Sequence, residues 1–300
     1  MKRDNSGYIY LLVTIVLFST YEVVSKTLVG KVDSFQINFI RFFIGGIILL
    51  VFTALKRDFK ISRNDFTLVA MAGIINVVIS MNLLQLSLYV EGAKASVVAV
   101  LFSSNPIFVS IFAIFLEKEK LKLYRVVSLV IGVAGIVTVF INKFDISVFG
   151  SLSPLLALLS AIFYGLYTVL GRKAALRIGS LKMNSYSFIM GSLSLVPVLL
   201  LIRRPVLHFA TSGLPQVIYL SFFLTGIAYL SYFKGLSITG ASSGSLVFFI
   251  KPVLASLLAI VFLGERATVN LIVGALMIIS GIAVNIYWDK IKKIRKIAGF

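Results

Sequence analysis

Runs of about 20 apolar residues recur along the whole chain, and no other feature limits its fold as severely. Ten such runs fit the sequence: 8–29, 35–55, 66–89, 93–116, 123–141, 150–171, 183–202, 214–236, 241–263 and 267–287. A helix of about 20 residues crosses a hydrocarbon layer ~30 Å thick. In lipid, every backbone N–H and C=O must find a partner inside the segment, which selects helices for runs this long and excludes barrel strands. The connections are too short to hold a soluble domain. With 59% hydrophobic and 13% charged residues, the chain lacks the shell of a water-soluble domain, where about 25% of residues are charged. The expected class is an all-α integral membrane protein with ten transmembrane helices.

The net charge of +18 would suggest a nucleic-acid binder if its distribution were ignored. Of 29 basic residues, 20 fall in segments on the side of the N-terminus: Lys2 and Arg3, Lys56 through Arg63, Lys118 through Arg125, Arg172 through Lys182, Lys234, and Lys290 through Lys296. The opposite loops hold 7, namely Lys26, Lys31, Lys94, Lys143, Arg203, Arg204 and Arg266. Basic residues mark cytoplasmic loops, so both termini are expected in the cytoplasm and the chain in the cytoplasmic membrane as a multi-pass protein. The lipid bilayer, not nucleic acid, is the partner this charge addresses. Residues 289–300 read as a basic cytoplasmic tail whose KIKKIRKI run anchors the last helix beside Tyr287 and Trp288. The first run exceeds the length of a secretory h-region, so no cleavable signal is expected.

Shifted by 146 residues, the sequence matches itself without a gap. Phe18-Ser19 falls on Tyr164-Gly165, Lys26 on Arg172, Ala95-Ser96 on Ala241-Ser242 and Pro106 on Pro252. Further on, Ser110 falls on Ser256, Ala113 on Ala259, Glu119-Lys120 on Glu265-Arg266 and Gly135 on Gly281. The expected halves are 1–146 and 147–288, five spans each. An odd number of spans inverts the second half relative to the first, the plan of many secondary transporters. Some channels share it.

These residues resemble the EamA-type carriers of the drug/metabolite transporter superfamily, and the resemblance covers nearly the whole chain. It rests on the two five-helix halves and on GAKASVVAVLFSSNPIFVSIFAIFLEKEKL and GASSGSLVFFIKPVLASLLAIVFLGERAT. In each, small residues open the helix, a Pro sits mid-span and a Glu closes it. Arg41 in RFFIGGIILL matches the Arg that the family often carries in its second helix. The resemblance implies a ten-helix carrier, often an exporter of amino acids or other small metabolites.

A charge at the centre of a span costs several kcal/mol (about 2.5–3.5 on translocon scales) and usually faces a cavity. Lys251 lies about ten residues from either end of its span, just before Pro252, and its repeat mate is Asn105 before Pro106. Proline frees helical carbonyls, so Pro106 and Pro252 are expected hinges, with Lys251 and Asn105 beside a central substrate site. Lys251 could equally brace the interior by pairing with a carbonyl or a Glu. Glu22 and Arg41 sit at similar depth in neighbouring spans and form a candidate ion pair; an unpaired Glu22 would be a candidate proton carrier. Asn82 and Gln85 share a face of the third span, Tyr164 and Tyr167 of the sixth, and Tyr229 and Tyr232 of the eighth. All six are candidate substrate contacts. Gly274 and Gly281, opposite Ser128 and Gly135 in the repeat, permit close helix approach, within the chain or in a weak homodimer.

The function expected from these features is secondary active transport of a small polar metabolite by alternating access, with export favoured. Its cargo would be an amino acid or a similar zwitterion or carboxylate. The alternative is a uniporter or channel-like facilitator for a small solute or organic cation. An enzyme is not expected: there is no Cys, His208 is the only His, and neither HExxH nor a Walker motif occurs. No cofactor or metal is expected.

Overall fold

The computed structural model describes residues 6–57, 59–120, 122–140, 152–207, 210–254, 257 and 269–297. His208, Ser256, Ala259, Glu265, Arg266, the second half of the 241–263 span and the tail side chains lie outside them. Among the described residues all regular structure is helical. Seven helices are long and apolar enough to cross a membrane: α1 (Ser6–Lys26), α2 (Ser34–Leu55), α3 (Arg63–Tyr89), α4 (Val97–Glu117), α6 (Leu152–Ile178), α7 (Ser180–Leu201) and α8 (Thr211–Thr239). Three shorter apolar stretches join them: Leu123–Thr138 within α5 (Leu123–Phe140), α9 (Ala241–Leu254), and Ile272–Trp288 within α10 (Val269–Ile297).

Polar and apolar side chains are distributed as a lipid solvent demands. Leu55, Phe115 and Leu201 point outward, while Asn76, Gln85, Asn105, Ser160, Thr168 and Asn184 are fully buried. Apolar side chains gain nothing from hiding in a hydrocarbon solvent, whereas unpaired polar groups lose several kcal/mol there. The polar groups therefore collect in the interior and bond to one another across helices. Ser80 and Ser160 each donate to the other's backbone carbonyl, at 3.0 and 2.8 Å, and tie α3 to α6. Thr14 reaches the Ala228 carbonyl at 3.3 Å, tying α1 to α8.

Helix boundaries follow local chemistry. Asp33 caps α2 by accepting from the backbone N–H groups of Phe35 and Gln36 at 2.9 and 3.3 Å. Single residues, Gly179 and Gly240, separate α6 from α7 and α8 from α9, with φ of 84° and 94°. Such backbone is essentially open only to glycine.

The two halves interlock. Helix α1 packs on α8, and its repeat mate α6 packs on α3, the mate of α8. Helices α2 and α7, mates of each other, pack together, as do α5 and α10. The offset also places irregularities in register: wide π-type turns run through Ile74–Ser80 of α3 and Leu220–Ala228 of α8, starting 146 residues apart. Helix α4 breaks at Ser103 and Ser104, between Ala95–Phe102 and Asn105–Glu117. At the equivalent place α9 tightens into a 3-10 turn over Leu246–Ile250. Pro106 lies in the first turn after the break, where its missing N–H costs no helical bond.

Small residues set the closest approaches. A Cβ on Gly135 would lie 2.9 Å from the Gly274 carbonyl, and one on Gly281 would lie 3.0 Å from the Ser128 carbonyl. These small-residue faces thus pack α5 against α10 inside the chain. A Cβ on Gly73 would come within 2.1 Å of the Ser187 carbonyl. Gly73→Ala is expected to part α3 from α7 and destabilise the fold by about 1–3 kcal/mol, the usual cost of overpacking. Gly226→Ala, whose Cβ meets nothing closer than 3.7 Å, is the matched control. Thermal unfolding of the two variants in detergent checks this; equal melting temperatures would remove the steric argument.

Candidate functional site

Where the halves meet, helices α1, α2, α3, α4, α6, α8 and α9 enclose a cavity of about 20 Å³. Its walls are Phe18, Tyr21, Arg41, Met81, Leu84, Phe102, Tyr164, Leu224, Tyr229 and Lys251. Water needs about 10–15 Å³ by this measure, so the space admits a water molecule and not a metabolite. The site is shut.

Three charges lie at this point. Lys251 donates to Glu22 Oε1 in a buried ion pair, with both side chains 2% exposed. The pair joins α1 of the first half to α9 of the second. The Lys251 ammonium also faces the Phe102 ring at 4.9 Å and the Tyr21 ring at 5.9 Å. Arg41 also approaches Tyr21, its guanidinium 4.9 Å from that ring and 4.3 Å from the ring of Phe42. Aromatic faces attract cations, by about 2 kcal/mol or more when desolvated. Among the described residues no carboxylate lies within ion-pairing distance of Arg41. Its Nη2 and Oε2 of Glu22 are buried without a hydrogen-bond partner.

The candidate pair Glu22–Arg41 is therefore corrected: Glu22 pairs with Lys251. The expectation assumed that consecutive helices are neighbours, whereas the principal partner of α1 is α8 and that of α2 is α7. Helix α1 also turns at Ser19 and Thr20 before restarting as Tyr21–Lys26, whose main contacts are with α3 and α4. Lys251 pairs with Glu22 and also lines the cavity, so the geometry holds both of the alternatives open for it.

The other candidates divide into walls and supports. Tyr164 and Tyr229 line the cavity. Tyr167 and Tyr232 stand behind them, with ring centroids 5.7 and 6.2 Å from that of Tyr164, and Tyr232 shares a hydrogen bond with Thr168 at 3.3 Å. Asn82 accepts from Asn38 Nδ2 at 2.8 Å, and Asn38 Oδ1 accepts from Arg41 Nε at 2.9 Å. Asn82 thus acts on the cavity through Asn38 and Arg41. Gln85 accepts from the Tyr21 hydroxyl at 2.6 Å and fixes that ring within reach of both cations. Asn105 does not line the cavity; its Nδ2 donates to the Phe102 carbonyl at 2.9 Å and closes the break in α4.

Sequence reasoning missed Tyr21 and Asn38. Asn38 precedes Arg41 by three residues and so shares its face, a signal that was present. Tyr21 carried none beyond its place beside Glu22.

One end of the bundle is held by a second set of ions. Arg172 donates to Glu117 at 2.7 Å and to the Leu236 carbonyl at 2.8 Å. Glu119 accepts from Ser242 at 2.8 Å and pairs with Arg125. Lys26, the repeat mate of Arg172, donates to the Leu88 carbonyl at 2.8 Å, so each half pins the end of its first helix to its own third span, α1 to α3 and α6 to α8.

A helical bundle that crosses the membrane many times, built from two related halves with a charged aromatic cavity at their junction, has the architecture of a membrane transporter. The chain belongs to the EamA-like transporter family, whose model matches it twice, over residues 5–141 and 151–287. It is 36% identical over 289 residues to an uncharacterized transporter of Clostridium kluyveri, covering 93% of this chain and 92% of that one. It is 28% identical over 211 residues to the uncharacterized transporter YoaV of Bacillus subtilis, covering 69% and 70%. A crystallised protein shares the fold with a TM-score of 0.74 at 20% identity, over 94% of this chain and 97% of that one.

Breaking a buried ion pair by removing one partner typically costs 3–5 kcal/mol, whereas replacing both can be nearly neutral. Glu22→Gln and Lys251→Met are each expected to destabilise the protein by about that amount. The double variant should recover most of the loss. A double-mutant cycle on unfolding in mixed micelles reads this; strictly additive costs would show that the two side chains do not stabilise each other.

Proposed function

We propose that this protein is a secondary active transporter for a small polar metabolite carrying a carboxylate, an amino acid or similar zwitterion first among them. It works in the cytoplasmic membrane through ten helices arranged as two inverted five-helix repeats. The halves alternate in opening the central site to either side, and export is the favoured direction. The observation that carries the cargo assignment is Arg41: a buried guanidinium on the cavity wall, with a free donor and no carboxylate partner among the described residues.

The electrostatics support that cargo. Two cations line the cavity and the one carboxylate beside them, Glu22, is paired with Lys251, leaving an excess of positive charge for a solute carboxylate. Oε2 of Glu22 and the rings of Phe18, Phe102, Tyr164 and Tyr229 suit an ammonium group. An organic cation alone would find the rings but would meet Arg41 and Lys251 at short range in a low dielectric. Alternating access is supported by the closure itself, since a cavity of about 20 Å³ must open before it admits a metabolite. Asn82 and Gln85 act as positioning residues, and the break before Asn105-Pro106 and the tight turn before Lys251-Pro252 supply the hinges.

Counterflow in proteoliposomes loaded with amino acids, simple carboxylates or primary amines tests this. Saturable exchange is expected for amino acids and none for amines. A hydrogen bond to a charged group contributes about 1.5–3 kcal/mol, so Arg41→Gln should raise KM by a factor of roughly ten to a hundred. Linear, unsaturable flux would replace the carrier with a channel, and an unchanged KM would take Arg41 out of the site.

A further inference from the structure

A second cavity, of about 340 Å³, opens at the end of the bundle where α2 finishes and α6 turns into α7. Lys56, Lys182 and Lys234 line it together with Thr53, Gly179 and Ser180, and among the described residues no carboxylate lines it. It lies outside the central site, sharing no wall residue with it.

The three ammonium groups come from three helices. Lys182 is largely buried, and its ammonium donates to the Lys60 carbonyl at 3.0 Å. The Lys234 ammonium sits 4.4 Å from the centre of the Tyr10 ring. Lys56 is exposed at the mouth. Like charges gathered in one concavity repel each other and are relieved by an anion.

The repeat shows that the pocket is no by-product of the duplicated scaffold. At an offset of 146 residues, Lys56, Lys182 and Lys234 correspond to Ile202, Gln36 and Leu88. The other end of the bundle therefore carries no equivalent set of charges. The mouth lies at the end of a membrane helix whose last turns are apolar and outward-facing, with Val51, Phe52 and Leu55 54%, 52% and 75% exposed. Basic pockets between membrane helices are suited to phospholipid headgroups.

We propose that this pocket is a binding site for a phosphate-bearing anion, either the headgroup of an anionic glycerophospholipid or free phosphate at the membrane surface. The site is independent of the transported solute.

The test places the purified full chain in nanodiscs of phosphatidylcholine alone or with phosphatidylglycerol, and separately adds inorganic phosphate or chloride at matched ionic strength. A ligand bound only by the folded state raises the melting temperature. Phosphatidylglycerol is expected to raise it by a few degrees and to remain bound in native mass spectrometry. The exposed pair Lys56→Gln and Lys234→Gln should abolish most of both effects, with Lys56→Arg and Lys234→Arg restoring them. Lys118→Gln with Lys120→Gln, which removes as much charge from loop positions outside the pocket, should change neither. A lysine-dependent shift with the lipid alone assigns the site to a headgroup, and an equal shift with inorganic phosphate assigns it to the free anion. No lysine-dependent shift with either probe, or an equal loss in the Lys118/Lys120 control, overturns the proposal.

Discussion

An ammonium and a carboxylate buried together in a protein whose solvent is lipid constrain nearly everything around them. Neither Lys251 nor Glu22 can be left alone, because an isolated charge in such surroundings costs several kcal/mol even after relaxation. They are 229 residues apart in the chain, so their contact requires the two halves to close on each other. The rest of the centre follows from that demand. Tyr21 is held by Gln85 beside the Lys251 ammonium, and Arg41 is aimed by Asn38, which Asn82 holds in turn. Each polar group in this relay answers a donor or acceptor that the previous one left open, and together they use α1, α2, α3 and α9.

The interlocking of the halves turns this contact into a joint. Because α1 packs on α8 and α6 on α3, no helix of the centre can shift without moving elements of both repeats. The irregular turns are where such shifts are easiest. The π-type segments of α3 and α8 and the broken α4 and tight α9 lie at matching repeat positions, and wide or broken turns have fewer regular backbone bonds to disrupt. The ends are less symmetric than the centre. Arg172 is locked by Glu117, whereas its repeat mate Lys26 donates to the Leu88 carbonyl; the repeat mate of Glu117 is Leu263, which has no charge to offer.

The helices were legible because lipid imposes a length and an apolarity that a sequence cannot hide. Each apolar run corresponds to a helix or to a shorter apolar stretch among the described residues. The repeat was legible too, and its offset of 146 residues locates irregularities that composition alone does not reveal. Neighbourhood was not legible. The pairing of Glu22 with Arg41 followed from chain order, and chain order fails when two halves interdigitate, because the nearest helix then comes from the other half. The turn at Ser19 and Thr20 escaped notice for a related reason: it contains neither Pro nor Gly, and both hydroxyls bond back to carbonyls of the preceding turn. Tyr21 is aimed into the cavity by that turn, so missing the turn meant missing the ring.

The same pair also suggests how binding and opening could be one event. In the closed state Lys251 and Glu22 satisfy each other, and Arg41 retains an open donor. On the proposed reading, a zwitterion entering the cavity offers a carboxylate to Arg41 and Lys251 and an ammonium to Glu22. It exchanges one ion pair within the protein for three with the solute, so the charges need not pass through an unpaired state. A solute with a carboxylate alone leaves Glu22 without a partner if it draws Lys251 away, and one with an ammonium alone leaves Lys251 in that position. Either mismatch carries the cost of a buried unpaired charge. Since the pair also ties α1 to α9, a solute able to replace both partners is the one that can part those helices at least cost. Selectivity and movement then rest on a single substitution of charges at the junction of the two repeats.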